Sequence, residues 1–187
     1  MILPIYIYGQ PVLREEAQDI TAEYPRLKET IQDMFDTLDN SGGIGLAAPQ
    51  VGLPIRLVVI DLDVMSDEKP EYKGYRTVFI NADIEEYGSE EDVSDEGCLS
   101  IPGIYEKVRR PTSIKVRYLD EKMEEHCEWI SGYLARVLQH EIDHLNGELF
   151  IDHISALRKQ MIKSKLANLQ KGKVSASYKV KVANRKA

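Results

Sequence analysis

The sequence predicts an α+β fold: mainly antiparallel sheets packed around one central helix, with a further helix near the C-terminus. Three observations predict it. Strand-like segments follow one another too closely to leave room for βαβ crossovers. Apolar residues recur at helical spacing in separate blocks before and after those strands. The one glycine-rich turn sits in the wrong surroundings for a doubly wound nucleotide fold.

Each element follows in order. Met1–Tyr8 is short and alternates, which suits a strand or an extended lead-in. Thr21–Asn40 reads as a helix through Leu27, Ile31, Met34, Phe35 and Leu38, with Pro25 suited to its first turn. Ile55–Asp61, Thr77–Asn81 and Ser113–Leu119 read as strands. Met123, Cys127 and Trp129 keep a looser alternation and suggest another. Ser131 is placed to cap a second helix that runs to Leu145 and ends at Asn146-Gly147. A third helix covers Ser155–Leu169, and "KVSASYKVKV" reads as an edge strand or a loose tail. Leu62–Gly74 reads as a polar insertion, and the acid-rich run Glu85–Glu96 as a solvated loop.

At 187 residues one domain is expected, with residues 1–152 as its main body and residues 153–187 as a basic helix and tail. The charge is divided the same way. The net charge of −7 conceals ten Lys/Arg and no acid from His153 onward, against 14 basic and 31 acidic residues before it. A basic tail on an acidic body points to a polyanionic partner. No apolar run approaches the ~20 residues of a membrane span. The N-terminus lacks the basic leader and small-residue site of a signal peptide. Two cysteines are too few for a disulfide framework, so both read as reduced thiols in a cytosol.

Gly43-Ile-Gly-Leu-Ala-Ala48 fits the G-x-G-x-x-[GA] pattern of a dinucleotide turn. Such a turn needs a strand before it and a helix after it. Here a helix precedes, and Pro49 and Pro54 follow. These glycines instead free the backbone to bend or to approach something closely.

The strongest signal is Gln139-His-Glu-Ile-Asp-His-Leu-Asn-Gly147. His140 and His144 lie about 40° apart around a helix and one turn apart along it, so both imidazoles can face one ion. Glu141 lies beside them, placed to handle the protons of a water. This is the H-E-x-x-H pattern of metal-dependent hydrolases, and it needs a third ligand. A third histidine six residues on is excluded by Phe150, and a downstream glutamate by the absence of acids after Asp152. The third ligand therefore comes from upstream. Cys98 in "EGCLS" is favoured, with Cys127 its rival.

Gly43–Gln50, Glu96–Ser100 and Gln139–Gly147 together resemble the three signature motifs of the peptide deformylase family, and "YGQPVLR" before them is similar as well. The resemblance implies a hydrolase that removes the N-formyl group from the initiator methionine of new bacterial polypeptides and releases formate. It implies Cys98, His140 and His144 as ligands of a native Fe(II), replaceable by nickel, cobalt or zinc, with water in the fourth position. It assigns Glu141 as general acid and base. Gln50 and the Leu99 backbone N–H become donors to the formyl oxygen. Gly43, Ile44, Gly45, Glu96, Gly97, Tyr133 and Val137 become candidates for substrate contact, with Glu96 able to pair with Arg109 or Arg110.

Two other classes compete. A metallopeptidase cutting internal bonds would use a ligand other than Cys98. A structural zinc site would close with four protein ligands and would not need Glu141. A monomer in the bacterial cytoplasm, off the membrane, is expected, with an organellar form as the alternative, and the resemblance implies that the basic helix Arg158–Lys171 contacts the ribosome.

Overall fold

The computed structural model describes residues 1–183; the last part of the predicted tail, 184–187, lies outside the described residues. The strands are β1 (Ile5–Tyr6), β2 (Gly45–Ala47), β3 (Leu57–Asp61), β4 (Arg76–Tyr87), β5 (Glu91–Cys98), β6 (Ile101–Pro111), β7 (Ser113–Leu119), β8 (Glu125–Ser131) and β9 (Val180–Lys181). The helices are α1 (Leu27–Ser41), α2 (Gly132–Leu145) and α3 (Ala156–Gln170).

One five-stranded sheet runs in the order β2-β3-β4-β7-β8, antiparallel throughout. Its centre is buried on both faces. On β3, Val58 and Ile60 pack toward α2, while Leu57 and Val59 pack toward α1. The period of two thus feeds two cores from one strand. Ala135, Leu138, Ile142 and Leu145 fix α2 on one face, and Met34, Phe35 and Leu38 fix α1 on the other. A separate antiparallel ribbon, β5–β6, is tied to α2 through Glu96, which meets Arg136 and His140. A third apolar cluster joins Ile104 and Val108 of that ribbon to Phe150, Ile162 and Leu169.

The α+β expectation holds, and several of its details are corrected. The acid-rich run is not a solvated loop: it completes β4 and forms β5. Its carboxylates other than Glu96 face water, where charge deters unwanted strand pairing. Strand β6 was not anticipated. Its inward face carries Glu106 and Arg110 beside Ile104 and Val108, so polarity does not mark the buried side. Helix α1 starts six residues later than expected, because Arg26 takes a left-handed conformation (φ 57°) and separates it from the preceding turn. Met123 is likewise left-handed (φ 63°) and lies in the turn before β8. Ser131 occupies the N-cap position of α2 without a side-chain bond; the Tyr72 hydroxyl accepts from the Leu134 N–H instead (3.1 Å). That tyrosine belongs to the insertion, which packs Met65 and Tyr72 on the core and is not merely polar.

The two ends of the described chain meet. Strand β1 pairs in parallel with β9, Ile5 opposite Val180 and Tyr6 opposite Lys181. Of the two alternatives read from its sequence, the edge strand holds for Val180–Lys181, and residues 173–179 before it are irregular.

Candidate active site

Helix α2 is held by its apolar face, and the opposite face turns His140 and Glu141 toward an open pocket of about 460 Å³. The imidazoles of His140 and His144 lie 5.2 Å apart at 72°. Cys98 ends β5 just before the turn into β6, and its Sγ lies 3.3 Å from Nε2 of His144. Ligand atoms of Cys98, His140 and His144 all fall within 4.8 Å of one another. Cys127 lies on exposed β8, where its thiol donates to Glu85 (3.4 Å), outside this cluster. Phe150, where another protease class would carry a ligand, stacks on His140 (5.9 Å between centroids).

The electrostatics favour a cation at this point. Burial pushes His140 down, but the sulfur of Cys98 and the carboxylate of Glu96 outweigh it and hold the imidazole well above its ordinary value. Burial pushes His144 well below its own. One thiol and two imidazoles form a donor set suited to a transition metal, and such an ion replaces the positive charge that these groups otherwise draw from a proton. The three residues fit a divalent metal ion with an open coordination position.

Behind His140 stands a charge network. Glu96 Oε1 faces Nδ1 of His140 at 2.9 Å. Arg110 donates to both oxygens of Glu96, at 2.6 and 2.9 Å, and Arg136 donates to Oε2 at 2.7 Å. Burial alone would raise the Glu96 carboxyl, yet Arg110 and His140 hold it far below the usual carboxylate range. A fixed anion at Nδ1 keeps that nitrogen protonated and directs the Nε2 lone pair to the ion. Glu96, expected at the substrate, spends both oxygens on this bracing. Arg110 is the partner, not Arg109, which lies 3.9 Å from Glu91 at the surface. Arg110 also donates to Asp143 (2.9 Å), and Asp143 lies 2.8 Å from His153. The sequence had given no role to Arg136 or His153; their signal is purely spatial.

The glycine stretch forms the facing wall. A Cβ on Gly45 would stand 2.6 Å from Oε1 of Glu141, and one on Gly43 would stand 2.8 Å from Leu99. Only glycine lets β2 run this close to Glu141. Glu141 is buried with Oε2 unpartnered, and burial raises its carboxyl to about 7. Gln50 is oriented by both ends of its amide. Oε1 accepts from the Ala47 N–H (2.9 Å), while Nε2 donates to Ser100 Oγ (3.2 Å) and points at Cys98 Sγ (3.5 Å). Ile44, Gly97, Leu99, Tyr133 and Val137 also line the pocket. Ser175–Tyr178 of the tail line it too, which the sequence did not suggest.

The comparisons agree with this geometry. The family model described as Polypeptide deformylase matches residues 2–160. A peptide deformylase of Christiangramia forsetii is 50% identical over 193 residues, covering 100% of this chain and 98% of that protein. Among solved structures, the Thermotoga maritima peptide deformylase superposes with a TM-score of 0.74 at 41% identity, covering 83% of this chain and 99% of that one. A peptide deformylase from Synechococcus elongatus, solved in complex with actinonin, gives 0.78 at 38% identity, covering 88% and 86%. The match spans both the strand that ends at Cys98 and the helix of His140 and His144, and it leads to one conclusion: this chain belongs to the polypeptide deformylase family.

Proposed function

We propose that Cys98, His140 and His144 hold one divalent ion, and that Glu141, Gln50 and Leu99 carry out deformylation around it. The enzyme is a metal-dependent hydrolase that removes the N-formyl group of nascent polypeptides. The single observation that carries the site assignment is the convergence of one sulfur and two imidazoles beside a buried, unpartnered carboxylate. A bound ion supplies Lewis acidity, acidifying a water and polarising the formyl oxygen. Glu141 accepts the water's proton and returns it to the departing amine nitrogen, so that formamide and water become formate and a free amino terminus. The Gln50 amide and the Leu99 N–H donate to the formyl oxygen as negative charge builds there. Strand β2 is a sheet edge beside the pocket, so an extended substrate can pair with backbone near Gly45 as an added strand. Ile44, Tyr133 and Val137 supply apolar surface for the methionine side chain.

The finer assignments follow the same reading. The native ion is Fe(II), with nickel, cobalt or zinc able to replace it. The chain acts as a monomer in the bacterial cytoplasm, with residues 1–152 as the catalytic body. Among the described residues no helix is long and apolar enough to cross a membrane. The exposed lysines of α3 provide a basic surface for the ribosome; Arg158 is committed instead to Glu106. Lys159→Glu, Lys163→Glu and Lys165→Glu together should weaken salt-sensitive ribosome binding, and unchanged affinity would refute that contact.

The central test pairs metal analysis with formate release from formyl-Met-Ala-Ser. Glu141→Gln should retain the ion and lose on the order of 10²–10⁴ in kcat. Retained turnover would remove Glu141 from the mechanism. Cleavage of internal bonds in an unformylated peptide would favour the metallopeptidase reading instead.

A further inference from the structure

The tail reaches the catalytic turn through one specific bond. After α3 the chain turns at Gly172 (φ +78°) and runs back along the pocket, where Ser175–Tyr178 form part of its wall. The Tyr178 hydroxyl donates to the backbone carbonyl of Leu99 at 2.8 Å. The tail itself is held in place by β1. The Ile5 N–H donates to the Lys179 carbonyl (2.9 Å), and the Ile7 N–H to that of Lys181 (3.0 Å).

Leu99 lies between the sulfur ligand and Ser100. Its neighbours are fixed independently: Gln50 donates to Ser100 Oγ (3.2 Å), and the Tyr8 N–H donates to the Ser100 carbonyl (2.9 Å). The Leu99 carbonyl is the remaining handle on this turn. Fixing it restrains rotation about the bond between the Leu99 Cα and its carbonyl carbon. The Leu99 N–H belongs to the preceding peptide, so the tail acts on it through the Leu99 Cα, which Cys98 holds on one side and the anchored carbonyl on the other. An oxyanion donor acts through prior orientation, and small misdirection weakens it.

We propose that Tyr178 is a positioning residue for deformylation: by anchoring the Leu99–Ser100 peptide it holds the Leu99 Cα, from which the N–H of the preceding peptide is aimed, so that the C-terminal tail takes part in catalysis though it carries no reacting group. The proposal rests on the reading of the Leu99 N–H as a donor to the formyl oxygen. The ring of Tyr178 also packs on the α1-side core, so removing the whole side chain would confound the result. Tyr178→Phe keeps the ring and removes only the donor.

The test measures kcat and KM for formyl-Met-Ala-Ser on metal-loaded enzyme, with metal content and Tm in parallel. The expected result is a fall in kcat of about three- to tenfold, the kinetic equivalent of one hydrogen bond, with KM within about twofold. Metal content and Tm should match the unaltered chain. An unchanged kcat overturns the proposal. A change confined to KM also overturns it, placing Tyr178 only in the substrate wall. A fall in kcat that tracks lost metal or lowered Tm assigns the residue to stability alone and overturns it equally. Replacing Leu99 by its α-hydroxy acid, which exchanges the N–H for an ester oxygen, tests the underlying reading separately: a kcat unchanged in that variant fails it, independently of what Tyr178→Phe does.

Discussion

Helix α2 and the β5–β6 ribbon face each other across the Cys98–His140–His144 cluster, and they hold their shares of it by different physics. The helix is fixed by Leu138, Ile142 and Leu145, all essentially inaccessible in an apolar core. The ribbon is tied to the helix largely through ions: Glu96 and Arg110 from the strands, Arg136 and His140 from the helix. Apolar burial is tolerant of direction, whereas an ion network fixes both distance and orientation. The combination teaches how a rigid site is assembled. One side supplies stability, and the other aims a sulfur and an imidazole at a common point.

Predictions that probe this difference can be ranked. Cys98→Ala should reduce bound metal and formate release to background, because two imidazoles alone make a poor site; metal analysis after dialysis checks it. Arg110→Met comes next. It takes two of the three guanidinium bonds from the buried Glu96 and one from Asp143, so unfolding free energy should fall by about 3–5 kcal/mol, with metal affinity falling too. Urea denaturation and metal titration read the two effects separately. Leu138→Ala should cost about 3 kcal/mol through its cavity while leaving metal affinity of the folded protein intact. If it releases metal as readily as Arg110→Met, the contrast between the two regions is wrong.

The smallest effect concerns pH. Burial would raise Asp152, but Arg14, 2.6 Å away, holds the carboxyl below its ordinary value. A depressed carboxyl stabilises the fold above its unfolded value and loses that contribution as pH falls through its folded one. Stability of the Arg14→Met variant should therefore converge on that of the unaltered chain in acid, below about pH 4.

The two regions were not equally legible in the sequence. The helix announces itself, because apolar spacing, two histidines one turn apart and an Asn-Gly stop all lie within fifteen residues. The ribbon hides, because its inward positions include Glu96, Glu106 and Arg110, which composition assigns to solvent. Pairing that justifies their burial comes from Arg136 and Arg158, far along the chain. Gly45 was recognised as backbone released for close approach, but what approaches it, the Glu141 carboxylate, emerged only with the coordinates. Tyr178 was invisible for a similar reason. Its partner is a main-chain carbonyl 79 residues away, and backbone groups leave no signature in side-chain patterns.

The pairing of β1 with β9 has a consequence for how this enzyme is made. Synthesis is vectorial, so residues 5 and 6 emerge before residues 180 and 181 and must wait for them before they can dock. Until then the tail cannot reach the turn at Leu99. A protein whose task is to process chains still being translated thus completes the wall of its own site by joining two segments made 175 residues apart.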